Sequence, residues 1–289
     1  MRIFLFGAGY SAKAFARLVR DDAERIDGTT RSEANFAALE HASIAPLLFD
    51  GESPAQPLLD RLANSTHVVI SISPGSQGDP AVALVEDALS RPGNTIRWIG
   101  YLSTVGVYGD HDGAWVDETA PCHPTSRRSL ERMEAEQVWT ALSERHGIPL
   151  AILRLSGIYG PGRNAFINLE RGTARRIVKK DQVFNRIHVH DIAGALRFLA
   201  RVNTGGVFNV TDSEPSPPQD VVAYAADLMG VTPPREVPFA QADLTPMARS
   251  FYSENKRVSN ERIRALGYEF AYTDYRAAFS AMWRADSWR

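Results

Sequence analysis

Six residues near the start of the chain, Gly7-Ala-Gly-Tyr-Ser-Ala12, have a spacing with a definite chemical use. In a Gly-x-Gly-x-x-Ala turn between strand and helix, the first glycine permits the turn and the second lets the backbone close on a pyrophosphate. The alanine lets helix and strand pack tightly, and the helix N-terminus offers its amides to the phosphates. The flanks supply that context. Residues 1–6 are an apolar run of strand length, and Ala12, Phe15, Ala16 and Val19 follow at helical spacing. Gly7, Gly9, Tyr10, Ser11 and Ala12 are therefore expected to contact a dinucleotide.

A second group lies where the next strand ends. Residues 25–31 read as a strand running into a loop. An acidic residue there would bond a free ribose 2′-hydroxyl, whereas an arginine accommodates a 2′-phosphate. The loop carries Thr29, Thr30 and Arg31, and no carboxylate follows until Glu33. NADP is the expected cofactor, with NAD the other choice. Asp50, closing a third expected strand over 45–50, is placed to approach the adenine. A buried strand over 67–73 brings Ile72, Ser73 and then Pro74 to the middle of the cofactor.

Those residues need a scaffold. Further strands are expected over 95–103, 150–155 (ending at Leu155, on the cofactor side) and 206–212, with helices over 80–90 and 129–146. Alternating strands and helices define an α/β fold, a doubly wound parallel sheet of Rossmann type whose ligands lie beyond the strands' C-terminal ends. Residues 160–186 and 212–289 break the alternation and read as a smaller substrate cap. Residues 1–159 and 187–211 make the dinucleotide-binding domain.

Composition narrows the function. The 289 residues are 44% hydrophobic and 23% charged, with a formal charge of −2 and a pI near 6.4. This is an ordinary globular balance, with no support for a nucleic-acid or membrane-surface role. Cys122 is the single cysteine, so neither an intrachain disulfide nor a thiolate metal cluster is expected. His188 and His190 alternate along one short segment, but no further ligand cluster accompanies them, and no metal is expected. With no charged leader or long apolar segment, a cytoplasmic protein is expected.

Four passages give the chain a family likeness: GAGYSA at 7–12, YLSTVGVYGD at 101–110, LRLSGIYGPGRN at 153–164 and RIHVHDIAGAL at 186–196, with FNVTD at 208–212 and KRVSN at 256–260 in step. Over nearly its whole length the sequence resembles the extended or atypical short-chain dehydrogenases/reductases, the NAD-dependent epimerase/dehydratase type. The resemblance implies a bound dinucleotide and a small hydroxyl or carbonyl substrate, such as a nucleotide sugar. It also implies a catalytic Ser/Thr, matched by Thr104 with Ser103 adjacent on the cofactor side.

The family's Tyr-x-x-x-Lys pair departs from the pattern. Aligned on Glu136-Gln137, its positions hold Arg128 and Arg132, and no tyrosine occurs between Tyr108 and Tyr159. Arginine does not deprotonate in proteins, so Arg128 cannot act as a general acid–base. Arg132 keeps a positive charge for the ribose. Losing a positioned acid–base costs about 100- to 10,000-fold in rate. Tyr108, in the VYG turn, is the first candidate to replace it, and a catalytically silent NADP sensor is the alternative. Arg163 and Arg186, beside matched motifs, are expected to meet anionic substrate oxygens. In this family the helix at 129–146 often pairs two subunits, and its Leu130, Met133, Val138, Ala141 and Leu142 lie at helical spacing, so a homodimer is expected.

Overall fold

The computed structural model describes all residues, 1–289. In chain order the elements are β1 (Arg2–Phe6), α1 (Tyr10–Val19), β2 (Arg25–Thr30), α2 (Phe36–Glu40), β3 (Ala45–Leu48), α3 (Gln56–Ala63), β4 (His67–Ile70), α4 (Val82–Ser90), β5 (Trp98–Thr104) and β6 (Trp115–Val116). Next come α5 (Arg127–His146), β7 (Leu150–Leu155), β8 (Gly157–Tyr159), α6 (Ala165–Glu170), β9 (Arg176–Val178), β10 (Arg186–His188), α7 (Val189–Arg201) and β11 (Gly206–Val210). The last are α8 (Pro218–Met229), β12 (Glu236–Pro238), α9 (Pro246–Ser250), β13 (Arg257–Val258), α10 (Glu261–Ala265) and α11 (Tyr275–Arg284).

Seven strands form one sheet in the order β11-β7-β5-β4-β1-β2-β3. The pairs β1/β2, β1/β4, β2/β3 and β4/β5 are parallel. Strand order reverses at β1, so the crevice beyond β1 and β4 is where a doubly wound sheet binds its ligand. The chain feeds Gly7 and Ile72 to that place. β1 and β4 are buried almost throughout and read as continuous apolar runs because helices cover both faces. Pro46 sits on edge strand β3, where a missing N–H costs no ladder bond.

The chain divides into two compact units. The first comprises residues 1–104, 127–154 and 192–208. Its core sets Phe4, Phe6, Val68 and Ile99 of the sheet against Trp139 and Leu142 of α5. Burying a side chain of that size contributes roughly 1.5–3 kcal/mol. The amphipathic period of α1 resolves as read, with Ala12, Phe15, Ala16 and Val19 all buried. On α5 the inward face is Ser129, Ala135, Glu136, Trp139 and Leu142, while Leu130 and Val138 stay exposed.

The second unit comprises residues 105–126, 155–191 and 209–289, packed around Phe166, Tyr275, Phe279 and Trp288. Residues 105–126, 155–159, 187–191 and 209–211 cluster here, although the alternation of elements put them with the dinucleotide-binding domain. Local pairing is the reason. β6 pairs with β13 and β8 with β10, and Lys256 Nζ donates to the Gly109 carbonyl at 2.6 Å.

Candidate cofactor and active site

The glycine turn is held from β2. Gly7 has φ +81°, the left-handed region that glycine alone enters freely. Its N–H donates to Thr29 Oγ1 at 2.8 Å, and the Ala8 N–H donates to the Thr29 carbonyl at 2.8 Å. A Cβ on Gly7 would stand 2.4 Å from Ile72 Cγ2 and 2.8 Å from Ile72 N. The position is closed to any other residue by the loop after β4. Gly9 is the opposite case: a Cβ there would meet only the Gly7 carbonyl, at 3.9 Å. Gly9 caps α1 and supplies no side-chain oxygen to its first amides. An open cradle that one methyl would fill, in front of a helix N-terminus without a side-chain cap, fits a pyrophosphate.

Beside the turn, Gly9, Lys13, Thr30, Arg31 and Asn35 line a cleft of about 250 Å³. Lys13 is half-buried, Arg31 is exposed, and neither has an ion-pair partner. Asn35 Nδ2 donates to Thr30 Oγ1 at 3.0 Å, fixing one rim. Two uncompensated cations and a hydroxyl suit a dianionic phosphate. Lys13 and Asn35 escaped the sequence reading, and Thr29, read as part of the ribose loop, instead holds the glycine turn. Lys13 had a signal, since it lies one helical turn beyond Gly9 and shares a face of α1 with it. Asp50 turns back on its own loop: β3 ends at Leu48, and Asp50 Oδ1 accepts the amides of Glu52 and Ser53, which lowers the carboxyl's pKa.

At the ends of β4 and β5 the side chains are strongly committed. Arg132 donates through Nη1 to the Leu102 carbonyl and through Nη2 to Ser73 Oγ at 3.2 Å. Its guanidinium lies 5.8 Å from the Tyr101 ring centroid. Thr104, the last residue of β5, is half-buried. Ser103 is buried and its hydroxyl donates to Glu136 Oε1. Glu136 also takes Arg154 as a fork, with Nη2 2.7 Å from Oε2. Pro74 is buried, and Asp79 pins the rest of its loop by accepting Trp139 Nε1 at 3.0 Å and the Ala81 amide at 2.9 Å. Burial raises the Asp79 carboxyl. Arg128 is exposed.

In the second unit, Tyr108 is fully buried and its hydroxyl donates to Asn209 Oδ1 at 2.8 Å. That placement corrects its candidacy as the replacement acid: a phenol enclosed in the core has no face left for a substrate. Leu155 is likewise buried, at the end of β7. Asp191 accepts the amides of Ala271 and Tyr272 and the Tyr268 hydroxyl, tying the C-terminal segment to the start of α7. The His190 N–H donates to His188 Nδ1, which puts the proton of the neutral ring on Nε2. Burial holds that ring neutral down to about pH 4.

Arg163 is exposed on its turn. Arg186 is set deeper. Its Nη1 donates to the carbonyls of Phe184 and Ser216 and to Ser216 Oγ, at 2.7–3.1 Å. The nearby Asp212 is 1% exposed, its Oδ2 has no partner, and burial pushes its carboxyl up to about 8.

A parallel sheet that reverses at β1, with a glycine cradle at the reversal and a basic rim beside it, defines a dinucleotide-binding protein of the Rossmann class. The match to known proteins narrows the class. The model of the NAD-dependent epimerase/dehydratase family matches residues 82–211. The Escherichia coli (strain K12) protein YeeZ is 31% identical over 229 residues, 75% of each chain. A 3-diazoavenalumate denitrifying reductase from a Streptomyces species is 27% identical over 176 residues, 56% of this chain and 54% of that one. Among solved structures, a conserved protein of unknown function from Silicibacter pomeroyi DSS superposes with a TM-score of 0.88 at 47% identity, over 98% of both chains. The chain belongs to the NAD-dependent epimerase/dehydratase family, the extended short-chain dehydrogenases/reductases, and its cofactor class is a nicotinamide dinucleotide.

Proposed function

We propose that the protein is an NADP-dependent oxidoreductase acting on a small carbonyl or hydroxyl compound. The observation that carries this reading is the pairing of an open glycine cradle with the Lys13–Arg31 rim, where no acidic side chain competes for the ribose 2′ position. A relative named for a reductase activity supports the reaction class. The dinucleotide, when bound, supplies or takes up a hydride. This chain's own residues do the rest: Gly9 and the first turn of α1 hold the pyrophosphate, Lys13 and Arg31 the 2′-phosphate, and Arg132 the nicotinamide ribose. The half-buried Thr104 orients the substrate oxygen.

Titration calorimetry of NADP(H) and NAD(H) tests the reading. Wild type should prefer NADP. Arg31→Ala should weaken NADP about ten- to a hundredfold and leave NAD unchanged, with a smaller effect in the same direction from Lys13→Ala. Equal binding of the two dinucleotides would refute it. The absence of an acid at Arg128 and the enclosure of Tyr108 favour a second reading, a dinucleotide-binding sensor without turnover. Tight NADP binding with no turnover across a carbonyl and alcohol panel would select it.

A further inference from the structure

Thr30 closes β2 on the rim of the cofactor cleft. The side chains of its neighbours there, Lys13 and Arg31, can only donate hydrogen bonds. A hydroxyl can both donate and accept, through one hydrogen and two lone pairs. What Thr30 offers a ligand therefore depends on which of those places the protein has already filled.

Both accepting places are filled. Asn35 Nδ2 donates to Thr30 Oγ1 at 3.0 Å, and the Ser32 N–H donates to it at 3.4 Å. The hydroxyl hydrogen has only the Ser32 carbonyl, at 3.5 Å, the outer limit of a hydrogen bond. A better acceptor in the cleft would draw that hydrogen to itself.

The local sequence builds this arrangement. Ser32 Oγ caps a single 3-10 turn over Glu33–Asn35 by accepting the Ala34 N–H at 3.3 Å. The Asn35 N–H closes the turn on the Ser32 carbonyl at 3.1 Å. The turn brings the Asn35 side chain back over the end of β2, where its amide meets Thr30. An aspartate at position 35 could only accept, and would take the Thr30 hydrogen for itself.

The two nicotinamide dinucleotides meet this hydroxyl differently. A ribose 2′-phosphate dianion presents only acceptor oxygens, and the Thr30 hydrogen suits one of them. A free 2′-hydroxyl brings a hydrogen of its own, and Thr30 has no lone pair left to receive it. The same bond from Asn35 thus favours one cofactor and withholds a partner from the other.

We infer that Asn35 is a specificity-determining residue: by donating to Thr30 Oγ1 it fixes that hydroxyl as a donor to the 2′-phosphate of NADP. Asn35 is a positioning residue in this, acting through Thr30. The inference rests on the NADP reading and adds to it a neutral residue, separable from the charges of Lys13 and Arg31.

The test is calorimetric titration of NADP and NAD into full-length wild type, Asn35→Ala, Thr30→Val and the double variant, with the ratio of the two affinities as the readout. Thr30→Val should reduce the preference for NADP at least about tenfold, and Asn35→Ala about fivefold. The double variant should match Thr30→Val within about twofold, because the hydroxyl through which Asn35 acts is gone. Thr30→Ser, which keeps the hydroxyl, should keep the wild-type ratio. Three results overturn the inference: an unchanged ratio in Asn35→Ala or Thr30→Val, a double variant whose loss is the product of the single losses, or a Thr30→Ser ratio as low as that of Thr30→Val. Should Thr30→Val not fold, Asn35→Ala, on an exposed side chain, decides alone. Equal binding of NADP and NAD by wild type overturns the NADP reading and this inference with it, whereas the variant results overturn the inference alone.

Discussion

Arg132 Nη2 donates to Ser73 Oγ at 3.2 Å, and the same guanidinium reaches the Leu102 carbonyl, so one side chain of α5 spans the C-terminal ends of β4 and β5. The family resemblance implies a ribose-holding lysine at this position, and the arginine supplies the same charge from a planar fork. Arg132→Ala should weaken NADP about tenfold and leave the melting temperature within a few degrees. Arg132→Lys should recover most of the affinity. Arg128→Ala, on an exposed side chain one turn earlier, should change neither quantity. A cofactor affinity insensitive to Arg132 would remove it from the site.

Gly7 and Gly9 separate folding from binding. At Gly7 an alanine would be strained at φ +81° and would clash with Ile72, so Gly7→Ala should cost at least about 2 kcal/mol in chemical denaturation. At Gly9 the same methyl meets open space and an extended backbone, so Gly9→Ala should stay within about 1 kcal/mol of wild type. Its effect should fall on NADP, weakened at least about tenfold. Normal cofactor affinity in Gly9→Ala would remove the pyrophosphate from the cradle.

Stability should fall as pH rises from 7 to 8. Asp212 keeps its proton in the folded chain up to about pH 8, whereas the unfolded carboxyl loses it near its ordinary value of 3.8. The folded state therefore binds more protons between those values, and the stabilisation fades as pH climbs toward 8. An opposite term acts around and below pH 6.5. His188 and His67 stay neutral to about pH 4 while the unfolded imidazoles take up protons near 6.5, which erodes stability as pH drops. Above pH 7 the Asp212 term outweighs both, and the fall is worth at most about 1 kcal/mol. Asp212→Asn should flatten that limb in urea titrations, and an unchanged limb would show that Asp212 is not its source.

The outer face of α5 leaves Leu130 42% and Val138 48% exposed, two turns apart on one stripe. Covering that stripe with a second copy of the helix is the homodimer expected from the sequence. Sedimentation should show a dimer, and Leu130→Asp with Val138→Asp should release monomers that melt like wild type at low concentration. A wild-type monomer at all concentrations would refute the pairing.

All seven strands of the sheet are legible in the sequence: inner strands such as β1, β4 and β7 read as apolar runs because both their faces are covered, whereas β2, Arg25-Ile-Asp-Gly-Thr-Thr30, is legible only from its place after the first helix. Their ends are not. The apolar run at 67–73 outlasts the ladder, which stops at Ile70, and that at 45–50 outlasts Leu48. β6 and β13, two residues each, show no period at all, and they exist because residues 115–116 meet 257–258.

The site divides in the same way. The glycine spacing and the loss of the Tyr-x-x-x-Lys pair were properties of the sequence alone, since each rests on residue type and local spacing. Folding decided the rest. Lys13 joined Arg31 because a helix turn brought it over the end of β2, and Tyr108 was withdrawn because its hydroxyl found Asn209, 101 positions away. Which nitrogen of Arg186 is spent depends on Ser216, thirty residues off. Local spacing fixes what a residue can do; only long-range packing decides which of its atoms are left to do it.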